Sequence, residues 1–168
     1  MRRVLAALAL VGLAAAPAAA QKPADFMRRC QRKDLIGLWR VMRLNVPRGT
    51  AVDRSDPAYL THQRYVFHAN ATMLFASQEV PFTADDQRAL LRAPTATTWA
   101  VDADGRLVRQ HEGTPSVEKA DCMVMTRPVK ESGTTQLTAQ VGDLLLTDEG
   151  TGGHPVTRRL LRKVRSAD

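Results

Sequence analysis

The chain has 168 residues, of which 44% are hydrophobic and 5% aromatic, and its 24 lysines and arginines outnumber 17 acidic residues for a formal net charge of +7. This length fits one domain with a single core, and no apolar run is long enough for a membrane-spanning helix. Few aromatic rings are available to stack on bases, which argues against a nucleic-acid-binding module.

Residues 1–20 have the pattern of a secretory signal peptide. Arg2 and Arg3 supply the positive start, residues 4–16 are almost entirely Leu, Val and Ala, and Ala18 and Ala20 form an A-x-A cleavage pattern. An uncleaved anchor is the alternative, although the apolar run is short for a bilayer. We expect a bacterial protein that is periplasmic or secreted.

Two cysteines, Cys30 and Cys122, follow the predicted cleavage site. Disulfides persist in exported proteins, and one pair allows one connectivity, so we expect a Cys30–Cys122 bond. Two buried thiols are the alternative. A catalytic cysteine is disfavoured because neither residue belongs to a C-x-x-C pair.

Residues 21–34 place Phe26, Met27 and Cys30 at helical spacing, which predicts a short amino-terminal helix. Residues 35–168 then follow as the folded domain. Its first strand is expected over 38–46, and a long loop follows it.

The remaining chain alternates apolar and polar residues in short segments, which predicts hairpins. We expect strands within 62–75, 97–110, 117–126, 137–147 and 156–164. Residues 81–94 interrupt this pattern and predict a short helix, either an ordinary connection or a lid over the barrel. The fold class is all-β, an antiparallel up-and-down barrel of about eight to nine strands with a short N-terminal helix, and a β-sandwich is the alternative.

Gly37, Leu38 and Trp39 form a G-x-W sequence at the start of the first predicted strand. Together with the hairpin at 65–73 and the ending at 142–146, this pattern resembles bacterial lipocalin-like, calycin-type barrels. The resemblance implies structural roles for Gly37 and Trp39. It also implies that an arginine of the last strand, Arg158, Arg159 or Arg162, packs over the ring of Trp39.

The alternating faces direct a set of large apolar side chains toward the interior. The candidate ligand-binding residues are Tyr65, Phe67, Met73, Phe75, Trp99 and Met125. A small apolar molecule in the barrel mouth is the first functional hypothesis, and a fully packed core is the alternative reading of the same residues.

A second hypothesis is an envelope interaction or inhibitor module that uses the loop at 48–61 and the basic cluster at 158–165. Its partner would be an anionic envelope component or another protein. We do not expect an enzyme, because His62, His68, His111 and His154 lack metal-ligand spacing and no serine lies in a G-x-S-x-G turn. No cofactor or metal is expected.

Overall fold

The computed structural model describes residues 26–130, 138–150 and 155–164. The predicted signal peptide lies outside these ranges. Within them the chain forms eleven strands: β1 Met27–Arg29, β2 Gly37–Asn45, β3 His62–Phe67, β4 Thr72–Gln78, β5 Thr97–Val101, β6 Arg106–His111, β7 Val117–Met125, β8 Val129–Lys130, β9 Thr138–Ala139, β10 Leu144–Asp148 and β11 Thr157–Lys163. The α-helices are α1 Arg32–Leu35 and α2 Ala84–Arg92, and Pro57–Tyr59 forms a 3-10 helix. Neither α-helix has the length and apolar character needed to cross a bilayer.

Eight antiparallel strands form a closed barrel. Around the wall they follow the order β2, β3, β4, β5, β6, β7, β10, β11, and β11 pairs again with β2. Closure pairs every strand of the wall on both sides over at least part of its length. The predicted all-β antiparallel barrel is confirmed, and the sandwich alternative is wrong.

The two ends of the barrel differ in their connections. At one end, here called the closed end, short turns join β3 to β4 and β5 to β6, and α1 lies before β2. At the other end, here called the mouth, the longer segments 46–61 and 79–96 connect the strands. Long connections at one end leave room for a binding site there.

The predicted helix over residues 21–34 is wrong for residues 27–29, which form β1, and among the described residues of this region the α-helix is Arg32–Leu35. β1 pairs with β7 at Met123–Met125, beyond the point where β6 stops pairing with β7 at Asp121. β1 thus supplies hydrogen-bond partners for backbone groups of β7 that lie beyond the end of β6. The predicted Cys30–Cys122 disulfide is confirmed, with the two Cα atoms 5.4 Å apart, and it fixes the end of β1 to the barrel.

Trp39 is buried at the closed end, where its indole N–H donates to the carbonyl oxygen of Leu35 at 2.6 Å. The cation over its ring belongs to Lys163, whose Nζ lies 5.5 Å from the ring centroid. The arginines that we expected in this role lie elsewhere: Arg158 is exposed, Arg159 faces the interior near the mouth, and Arg162 pairs with Asp143. Lys163 lies opposite Trp39 in the β2–β11 pairing, which explains why a lysine, and not one of the expected arginines, covers the ring.

Gly37 makes room for this lysine. Its φ is +131°, and a Cβ built there would lie 2.7 Å from Cε of Lys163. Any side chain at position 37 would therefore strain the backbone and displace the flexible end of Lys163.

The barrel interior is filled near the closed end by aromatic and aliphatic side chains. Tyr65 and Phe67 point inward, as predicted, with ring centroids 6.0 Å apart, and Phe67 meets Trp99 edge to face at 5.2 Å. Leu107, Leu144, Leu146 and Leu161 complete this core and are fully buried. The lower part of the barrel is thus packed, so any ligand must bind above it.

α2 begins as its sequence predicts, because Thr83 and Asp86 form a capping box. Phe82, just before it, packs under the guanidinium of Arg64 on the outer wall, 4.7 Å from the ring centroid to the guanidinium carbon. Of the described residues that line the mouth cavity, none belongs to α2, although Pro94 follows it closely. The helix thus fits the ordinary connection that we weighed against a lid.

Candidate functional site

A cavity of about 740 Å³ opens at the mouth of the barrel. Apolar side chains of β3 and β4 form its lower wall, charged side chains of β6, β10 and β11 face them, and the segments around Ala58 and Pro94 form the rim. Its volume falls within the usual range of small-molecule sites, about 300–1,000 Å³.

Three of the six residues that we expected to contact a ligand line this cavity, namely Tyr65, Met73 and Phe75. Tyr65 and Phe75 lie against each other with ring centroids 4.9 Å apart. The other three do not line it. Phe67 and Trp99 belong to the packed core below the cavity. Met125 is buried at the closed end, where it lies opposite Met27 in the β1–β7 pairing.

Two arginines share one carboxylate in the opposite wall. Nη2 of Arg109 lies 2.5 Å from Oδ1 of Asp148, and Nη1 of Arg159 lies 2.6 Å from Oδ2 of the same residue. The side chains of Arg159 and Asp148 are 6% and 16% exposed, and that of Arg109 is 13% exposed. Charge-assisted hydrogen bonds of this kind are stronger than neutral ones and fix the geometry of the groups.

Arg159 is held on every side. Its Nε donates to Oε1 of Gln63 at 3.1 Å, and its Nη2 donates to the carbonyl oxygen of Ala58 at 3.0 Å. Gln63 in turn donates to the carbonyl oxygens of Ala58 and Leu60, both at 2.9 Å. Through these bonds Arg159 and Gln63 tie the segment after β2 to the barrel wall, and each of the three guanidinium nitrogens of Arg159 donates a hydrogen bond.

Arg109 is less fully occupied, because its Nε is buried and has no hydrogen-bond partner. Burial acts to lower the pKa of Arg109, but the charge of Asp148, the effects of Tyr65 and Glu118 and the hydrogen bond to Asp148 together outweigh it, so the pKa is raised and the side chain stays cationic. Burial also raises the pKa of Tyr65, which stays neutral beside the arginines. The second carboxylate near Arg109, that of Glu118 at 3.2 Å, is 60% exposed at the rim. Below the rim, two guanidinium groups therefore meet one carboxylate.

Sequence reasoning missed Arg109, Asp148 and Gln63 as site residues. One signal was available in the sequence. Asp148 lies on the same face of β10 as the buried Leu144 and Leu146, and Arg159 lies on the same face of β11 as the buried Leu161. Both charged residues thus continue an inward-facing apolar row, and the same period places them together at the mouth.

Comparison of the chain with protein-family models, curated proteins and solved structures finds no match.

Proposed function

We propose that the barrel binds a small amphipathic molecule in its mouth, with the apolar part of the ligand against Tyr65 and Phe75 and one anionic group at Arg109. The observation that carries this proposal is the position of Arg109 in the cavity wall, where its side chain is 13% exposed and shares the carboxylate of Asp148 with Arg159. A guanidinium group at a cavity wall that shares its buried carboxylate with a second guanidinium group favours an anionic group on the ligand.

The charge balance favours one negative charge on the ligand. Asp148 compensates one of the two guanidinium groups, and Glu118 is largely in solvent, where its effect is screened. A carboxylate matches the planar fork of an arginine, and the aromatic side accepts an acyl chain or ring. The ligand class is therefore an apolar body with a single carboxylate.

We also infer that the protein is an exported, lipocalin-like binding protein and not an enzyme. The buried Trp39 after Gly37, with a cation over its ring, supports the resemblance to lipocalin-like barrels. The Cys30–Cys122 disulfide supports export to the periplasm or beyond, since such bonds persist in oxidising compartments.

A second candidate is the envelope interaction module, which uses exposed loops and basic residues. Arg158 is exposed on β11, and the loop after β2 carries the exposed Arg48 and Arg54. Association of this kind would weaken steeply with salt, whereas ligand binding inside the mouth would change little.

The test is a displacement assay with anilinonaphthalene sulfonate as the fluorescent probe. Decanoate should displace the probe at lower concentration than decanol, and Arg109→Met should weaken decanoate binding by about 10- to 100-fold while leaving decanol unchanged. Arg88→Met removes the same charge from the exposed face of α2 and serves as the matched control. Equal competition by decanoate and decanol in the wild-type protein would contradict the proposal.

A further inference from the structure

Three arginines stand side by side on the outer wall of the barrel. In the strand pairing Arg162 of β11 is opposite Arg40 of β2, and Arg40 is opposite Arg64 of β3. Directly opposite residues have Cβ atoms about 4.5–5.5 Å apart. We call Arg162, Arg40 and Arg64 the arginine row.

The arginine row faces away from the core. Its chain neighbours Trp39, Tyr65 and Leu161 are buried in the interior, and side chains alternate between the two faces of a strand. The row therefore lines a groove on the outside of the barrel of about 620 Å³, bounded by Gln87 of α2 and by the turn at 140–143.

One carboxylate serves this groove. Asp143 pairs with Arg162 through two bonds, at 3.0 Å to Nε and 2.7 Å to Nη2, and its side chain is 3% exposed. In the part of the chain that the structure describes, no acidic side chain forms an ion pair with Arg40 or Arg64. Lys163 adds a further cation at the end of the groove.

Arg64 is held in place despite the excess of positive charge in the groove. Its guanidinium stacks on Phe82, and its Nη1 donates to the carbonyl oxygen of Gln63 at 3.0 Å. Its Nε is buried and has no hydrogen-bond partner. Burial and then the charge of Arg40 lower the pKa of Arg64. Like charges directly opposite each other destabilise a sheet, so the row costs stability unless an anion neutralises it.

We propose that the groove along the arginine row binds a phosphate group, with Arg40 and Arg64 as its principal ligands. Two adjacent guanidinium groups suit the several acceptor oxygens and the negative charge of a phosphate. The side-chain amides of Gln87 and Gln140 border the groove as further donors. The site is on the opposite side of the wall from the mouth cavity, so it stands independently of the proposed ligand.

The phosphate group could belong to either of two molecules, a soluble phosphate ester or the headgroup of an anionic lipid. Val141 at the edge of the groove is 64% exposed, so an apolar contact with a lipid surface is available there. Glycerol phosphate and vesicles of phosphatidylglycerol, compared with vesicles of phosphatidylcholine, distinguish the two sources.

The experiment measures thermal unfolding of the full chain with increasing glycerol phosphate, and co-sedimentation with the two kinds of vesicle. The variants are Arg40→Gln and Arg64→Gln, and Arg158→Gln is the matched control because it removes an exposed charge from the same wall, opposite Asn45 and outside the groove. Without phosphate, Arg40→Gln should raise the unfolding temperature because it relieves the repulsion.

Glycerol phosphate or phosphatidylglycerol should bind the wild-type protein and Arg158→Gln at least about tenfold more tightly than Arg40→Gln and Arg64→Gln. Binding to glycerol phosphate identifies a soluble ester as the source, and binding to phosphatidylglycerol vesicles alone identifies a lipid. The proposal is overturned if neither probe binds the wild-type protein, or if the two groove variants bind as tightly as Arg158→Gln.

Discussion

Lys163 lies across the ring of Trp39 and reaches it by passing over Gly37, which has no side chain to block the path. This contact joins the last strand of the barrel to the first and covers the closed end. The G-x-W sequence thus has a physical explanation: the glycine admits the stem of the cation, and the tryptophan supplies the ring face.

Gly37→Ala should lower the free energy of unfolding by about 2–4 kcal/mol, because a φ of +131° strains an alanine and because the flexible end of Lys163 must move off the ring of Trp39. Gly49→Ala is the matched control. Gly49 also has a positive φ, +80°, but nothing lies within 4 Å of the Cβ it would gain, so the cost should be about 1–2 kcal/mol. Chemical denaturation measures both values. Equal losses in the two variants would contradict this account of position 37.

The disulfide joins residues 92 positions apart. Replacing both cysteines with alanine should lower the free energy of unfolding by about 4–5 kcal/mol, because the unfolded chain regains the freedom that the bond removes. Denaturation with and without reductant checks this expectation. The reductant should destabilise the wild-type protein and leave the double variant unchanged, and an unchanged wild-type protein would contradict it.

Asp148 compensates two buried guanidinium groups at once. Asp148→Asn should therefore lower the free energy of unfolding by about 3–5 kcal/mol, since it leaves buried charge without a partner. Glu118→Gln removes a carboxylate from the same arginine at an exposed position, and it should cost less than about 1 kcal/mol. Denaturation of the two variants gives the comparison, and similar losses would contradict the burial argument.

Arg28 donates to both oxygens of Asp34 at the closed end, at 2.7 and 2.8 Å. The hydrogen bonds from Arg28 hold the pKa of Asp34 below its ordinary value. The pair therefore stabilises the fold above the ordinary aspartate pKa of about 4, and this stability is lost as the pH falls through the lower pKa of the folded state.

Asp34→Asn should accordingly lower the unfolding temperature at neutral pH, and the difference from wild type should shrink as the pH falls below about 4. Arg28→Gln should reduce this pH dependence, because Asp34 then keeps the backbone bond from Gln31 and the charge of Lys33 but loses its strongest partner. Thermal unfolding across this pH range measures both effects. A difference that grows on acidification would have the wrong sign.

The sequence was most informative where side chains alternate in short segments. The inward direction of Tyr65 and Phe67 follows from that alternation alone, as does the hairpin that carries them. The disulfide followed from cysteine number and the expected compartment. The prediction of a helix failed for residues 27–29. Phe26, Met27 and Cys30 fit a helical period, but this segment pairs as a strand with the end of β7 that β6 does not reach.

β2 shows a second reason why the sequence pattern predicts side-chain directions only in part. A β-bulge between Val41 and Arg43 places one extra residue in the strand, so Leu44 comes to stand opposite Arg159 on the inner face. A strict period of two assigns Leu44 to the other face. The charged group at the mouth was missed for a related reason, because Arg109, Asp148 and Arg159 come from three strands whose register no single segment reveals.

Native mass spectrometry of the protein purified from its own host tests the central claim most directly. We expect the wild-type protein to carry a bound small molecule with an apolar body and one carboxylate, and Arg109→Met to lose it while Arg88→Met retains it. A wild-type protein that carries no ligand, or a ligand retained equally by Arg109→Met, would contradict the account of the mouth as an anion-recognising site.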